Sequence, residues 1–140
     1  MNIWKIFDSI TRWFKSIYPS QTKKDMEKKH MRYLNFKVKG QTIVPIRIGE
    51  LNGLVAGTSG YVGARFLFSD DWKGCAKVAA FNLVDGTELE PSALDKENSC
   101  LIPRAVLEYH EFDMKLLGRG TGGYVITTRP IRIKQFGGKK

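Results

Sequence analysis

Residues 66–81 read FLFSDDWKGCAKVAAF and hold two apolar runs either side of a turn-forming segment. Upstream, Val62, Ala64, Phe66 and Phe68 alternate with Tyr61, Gly63, Arg65 and Leu67. Downstream, Cys75, Lys77, Ala79 and Phe81 alternate with Ala76, Val78 and Ala80. Side chains of a strand point to opposite faces in turn, so a period of two with apolar residues on one side marks a strand lying on a core. Asp70, Asp71 and Gly74 supply the turn chemistry. The pair is expected to be a β-hairpin, with Trp72 near its tip or folded beneath it.

The same period extends outward. From Leu34, Phe36 and Val38 alternate, Gly40 turns the chain, and Val44, Ile46 and Ile48 alternate again, with Pro45 marking an edge strand. After Phe81 the stretch NLVDGTELEPSALDKENS is polar, with Asp85-Gly86 and Pro91 as breakers. Cys100–Pro103 suits a short buried strand and Arg104–Glu108 one helical turn. Phe112–Leu117, Tyr124–Thr128 and Ile131–Phe136 complete the set. Short strands with frequent turns predict a mainly β fold over residues 34–137, a small antiparallel β-sandwich or barrel. Residues 138–140 are expected to form a flexible tail.

The leading residues differ. Ile3, Ile6, Phe7, Ile10, Trp13, Phe14 and Ile17 recur at steps of three and four, with Lys5, Asp8, Ser9, Arg12, Lys15 and Ser16 between them, and Pro19 follows. This spacing predicts an amphipathic helix over residues 1–19. Its apolar stripe needs a cover: the chain's own β domain, another protein, or a membrane interface with the bases near lipid headgroups. Residues 20–33 form a charged, helix-compatible connector, and Lys23, Lys24, Lys28 and Lys29 make it basic. The run is the candidate for electrostatic steering.

A net charge of +9 over 140 residues conceals a segregated pattern. Residues 1–40 hold ten bases against three acids, residues 41–114 six against eleven, and the remainder seven bases and no acid. Such segregation favours an acidic protein surface, anionic lipid or nucleic acid as partner. The two cysteines, Cys75 and Cys100, are read as small core residues, not a disulfide framework. No secretory signal and no apolar run of spanning length is read in the chain.

Chemical motifs are sparse. Gly118–Gly123 spells GRGTGG, but YVITT follows where a dinucleotide loop needs a helix, so the segment reads as a hairpin loop. His30 and His110 lack neighbours at metal-ligand spacing. Glu88, Glu90, Asp95, Glu97, Glu108, Glu111 and Asp113 read as a solvated rim. No catalytic residue, metal ligand or cofactor is expected, and no enzymatic activity.

The segments LVAGTSGYVGARFLFSDDWKGCAKVAAF, SCLIPRAVL and LLGRGTGGYVITTRPIRI together resemble a small β module of structural proteins from phages of Gram-positive bacteria. The likeness falls on Ser69, Trp72, Gly74, Lys77, Ala79, Ala80 and Phe81, then Cys100, Ile102, Pro103 and Leu107, then Gly118 and Thr127-Thr128. It implies a virion protein of the tail, baseplate or head, assembled in the host cytoplasm with other virion proteins and further copies of itself. The leading helix, absent from that pattern, is then the docking element, through Ile3, Ile6, Phe7, Ile10, Trp13, Phe14 and Ile17. Peripheral membrane binding and nucleic-acid binding are the alternatives.

Overall fold

The computed structural model describes residues 31–140. The helix expected over 1–19 and nearly all of the connector lie outside the described residues. Two sheets share one core. Strands β1 (Arg32–Lys39), β2 (Thr42–Pro45), β3 (Val62–Phe68) and β6 (Ser99–Leu101) form the first, in the order β2-β1-β3-β6. Strands β4 (Ala76–Leu83), β5 (Ser92–Ala93), β7 (Glu111–Arg119), β8 (Val125–Thr127) and β9 (Ile131–Lys134) form the second. Its order is β5-β4-β7, with β8 and β9 both lying along the far side of β7. The described chain is thus mainly β and sandwich-like.

The alternation seen in sequence sets the inward faces. Leu34, Phe36 and Val38 of β1 and Val62, Ala64 and Phe66 of β3 enter the core from the first sheet. Ala79, Phe81 and Leu83 of β4, with Phe112, Met114 and Leu116 of β7, meet them from the second. Ile102 and the short helix α1 (Arg104–Leu107), through Val106 and Leu107, fill one end. Phe36 stacks on Phe66 with ring centroids 5.6 Å apart. Each fully buried large side chain stabilises such a core by about 1.5–3 kcal/mol.

Three expectations meet a different arrangement. First, β3 and β4 are not a hairpin: they belong to different sheets, and the 3₁₀ turn Asp70–Trp72 carries the chain between layers. Both strands have an apolar face, and an arch buries both faces in one core. Trp72, fully buried, is the plug of that arch. Its indole N–H donates to the Gly40 carbonyl at 2.8 Å, and its ring lies 5.1 Å from that of Phe68. A Cβ on Gly118 would sit 2.8 Å from the indole, so β7 has a glycine where the plug presses on it.

Second, β1 and β3 run parallel, Arg32 opposite Val62 through Val38 opposite Phe68. After β2 the chain is back at the starting end of β1. Residues 46–61 cross that end, so β3 sets off in the same direction as β1. Side chains of β1 hold the crossing. The Arg32 guanidinium donates to the carbonyls of Glu50 and Asn52 at 2.7 and 2.8 Å, and the Asn35 amide donates to the Glu50 carboxylate at 3.0 Å.

Third, β2 carries its apolar residues the other way round. Ile43 is buried, whereas Val44, Ile46 and Ile48 are exposed. β2 is nonetheless an edge strand, as Pro45 indicates. The tail expected to be loose is tethered at Lys139, whose N–H donates to the Glu108 carbonyl and whose carbonyl accepts from His110 N–H, both at 2.9 Å.

Candidate docking face

The outer face of the first sheet follows from its registers. Lys37 stands opposite Val44 on one side and Leu67 on the other. Ile46 donates its N–H to the Asn35 carbonyl and so joins the row of Asn35 and Arg65. Tyr33, Gly63 and Leu101 form a third row. Side chains opposite one another in a sheet share a face. Val44, Ile46, Leu67 and Leu101 therefore lie on one side of the molecule, 40, 50, 60 and 46% exposed. Scattered exposed aliphatics are ordinary, but several gathered on one sheet face make that face the candidate interaction surface.

Bases frame this face. Lys37 and Lys39 are exposed on β1, and Arg65 lies over the Tyr33 ring at 4.1 Å from its centroid. That contact holds the guanidinium over the ring on the outer side of the sheet. Two acids stand at its border: Glu50 is bonded to Asn35, and Asp95 to Ser99, which lies opposite Arg65. The face as a whole is apolar and basic.

The outer face of the second sheet is built otherwise. Arg132 on β9 reaches across to Asp113 on β7 with two hydrogen bonds, 2.9 and 3.1 Å, and lies 3.8 Å from Glu111. The bonds to Asp113 raise the basicity of the guanidinium further. Where β8 gives way to β9, Ala80, Asn82, Asp113, Lys115, Thr127 and Pro130 line a shallow depression of about 190 Å³. Beneath it, Thr128 keeps the ladder intact, its hydroxyl accepting the Leu116 N–H at 2.9 Å.

Groups with reactive potential have structural positions. Cys100 faces inward opposite Ala64, and burial, aided by the Asp95 carboxylate, pushes its thiol up to about 12. Cys75 is buried, and both thiols are free. The ring of His110 sits 2.9 Å from the Lys139 carbonyl and 3.4 Å from the Glu111 carboxylate. GRGTGG forms the β7–β8 turn, as its sequence context requires. Among the described residues no three His, Cys, Asp or Glu side chains group to hold a metal ion, and no helix is long and apolar enough to cross a membrane.

The sequence-derived docking residues, Ile3, Ile6, Phe7, Ile10, Trp13, Phe14 and Ile17, and the basic run Lys23, Lys24, Lys28 and Lys29, lie outside the described residues. The face formed by Val44, Ile46, Leu67 and Leu101 was not among those candidates. A signal for it existed. Gly40 and Gln41 form a two-residue turn that pairs Lys39 with Thr42. With Leu34, Phe36 and Val38 pointing inward, that register sends Ile43 inward and Val44 outward. Comparison with known proteins finds no matching family model, no matching curated protein and no matching solved structure.

Proposed function

We propose that this chain is a non-enzymatic structural protein of a phage virion, an adaptor at the tail-baseplate or on the head. In this reading the leading segment is an amphipathic helix that docks on another virion protein through Ile3, Ile6, Phe7, Ile10, Trp13, Phe14 and Ile17. Lys23, Lys24, Lys28 and Lys29 steer it to an acidic surface. The β module, a small sandwich, presents a second contact.

The observation that carries an adhesive role is the outer face of the first sheet, where four aliphatic side chains stand in solvent inside a frame of bases. Two separate apolar surfaces on one small chain suit a link between neighbours. The virion assignment itself rests on the sequence resemblance around Trp72, Cys100–Pro103 and Thr127-Thr128.

The test is incorporation. Ile10→Asp with Phe14→Asp is expected to leave the β module folded by circular dichroism and to remove the protein from purified particles. Normal incorporation of that variant would sink the docking role of the leading segment.

A further inference from the structure

Resting on the adaptor reading, we propose that the apolar, basic face of the first sheet binds the acidic hairpin at 84–90 of a second copy, so that copies join head to tail. The face selects its partner by charge. Pairing the face with itself would set two basic surfaces, each carrying Lys37, Lys39 and Arg65, against one another, and like charges brought together oppose association. An acidic surface is needed, and one carrying some apolar area.

This chain has such a surface. Between β4 and β5, residues 84–90 fold back along β4, with Leu83 N–H bonded to the Thr87 carbonyl at 2.9 Å and Leu89 N–H to the Phe81 carbonyl at 3.0 Å. Asp85, Glu88 and Glu90 are all exposed there, beside Val84, which is itself exposed. Hydrogen bonds from the Thr87 side chain, then its backbone N–H, hold the Asp85 carboxyl below the usual carboxylate range. Asp85 thus keeps its charge further into acid than an ordinary aspartate.

A copy cannot satisfy its own face with its own hairpin. Glu88 stands opposite Asn82 in an isolated bridge, and Asn82 pairs with Asp113 on the outer side of the second sheet. The basic face lies on the outer side of the first. Packed sheets are about 10 Å apart, and the outward side chains add to that, so the two charges are separated by more than the roughly 8 Å screening length at physiological salt. The two charge sets therefore act independently within one molecule and neutralise each other only between molecules. A contact between two different surfaces of the same chain is heterologous, and it closes into a ring or continues as a filament.

Sedimentation velocity on the full-length chain tests this over a range of protein concentrations at low and high salt. The expected result is concentration-dependent association that salt weakens. Glu88→Lys with Glu90→Lys should lower the apparent association constant about tenfold or more, and so should Lys37→Glu with Lys39→Glu, a loss of about 1.4 kcal/mol or more in coupling. Mixing the two variants one to one should restore association, because each face then meets a hairpin of opposite sign. A wild type that stays monomeric overturns the proposal, as does association that the hairpin reversal leaves unchanged or a mixture that fails to recover. Thermal melts of both variants should match the wild type, since all four positions are exposed. Particle incorporation of Ile10→Asp with Phe14→Asp tests the leading segment alone, so failure of one reading is distinguishable from failure of the other.

Discussion

The two outer faces of this molecule answer the same problem differently. On the second sheet, charges of opposite sign are paired across strands, as Arg132 is with Asp113. Glu111 likewise stands opposite Lys134 on that face. On the first sheet, Lys37 has aliphatic neighbours, Val44 and Leu67, and Arg65 has an aromatic one. The acids nearest those rows are engaged by neutral groups, Glu50 by Asn35 and Asp95 by Ser99, which stands opposite Arg65. The difference teaches that one small sandwich can pair charges on one layer and leave aliphatic side chains in solvent on the other while both layers share a core.

That contrast presumes that the layers form one body, which Trp72 tests most severely. Trp72→Ala removes the arch plug and should cost about 3–5 kcal/mol in urea unfolding, with both sheets melting together. Loss of one sheet's signal before the other would show that the layers are separate units, and the contrast would then describe two pieces.

A second test uses neighbours on β6 that face opposite ways, Cys100 inward and Leu101 outward. The folded thiol stays neutral up to about 12, whereas the ordinary value is 9.0. Its contribution to stability is therefore complete below pH 9. It drains as pH rises toward 12, because the unfolded chain releases a proton that the folded one retains, at up to about 1.4 kcal/mol per pH unit. Wild type should lose stability faster than Cys100→Ala across that window. Parallel curves with a constant offset would place the thiol in water.

The smallest effects separate the faces directly. Asp113→Asn should lower the melting temperature slightly, and added salt should shrink the loss, as for exposed pairs generally. Leu67→Lys should leave stability within about 0.5 kcal/mol of wild type. A large destabilisation by Leu67→Lys would mean that the first sheet's outer face is part of the fold and not a surface held for a partner.

Much of this was legible in the chain. The alternation in β1, β3 and β4 named most of the residues they bury, because a strand on a core leaves a period-two record. Pro45 marked an edge, and the strand after GRGTGG excluded a dinucleotide loop. What periodicity could not supply was partner identity. Two consecutive amphipathic strands with a turn between them fit a hairpin and an arch equally well, and the choice lay with Trp72, whose burial against Gly118 depends on β7, more than forty residues on. β2 was misread because TIVPIRI carries apolar residues on both parities. Three residues on one parity outweighed Ile43 in the pattern, while the turn geometry decided the register. The leading stripe and its lysines remain a reading of sequence alone.

The parallel alignment of β1 with β3 has a consequence for how the chain reaches this state. Partners in that ladder are thirty positions apart, from Arg32 with Val62 to Val38 with Phe68, and Ala76 waits for Arg119. The hairpin pairings can form locally, but the longest ladder of each sheet, β1 with β3 and β4 with β7, must close a long loop, and folding times of milliseconds to seconds are expected of such topologies. During synthesis Phe36, Phe66 and Phe81 emerge well before β7 can cover them. The nascent chain passes through an interval in which its future interior is sticky, and rapid overproduction is when that interval matters most.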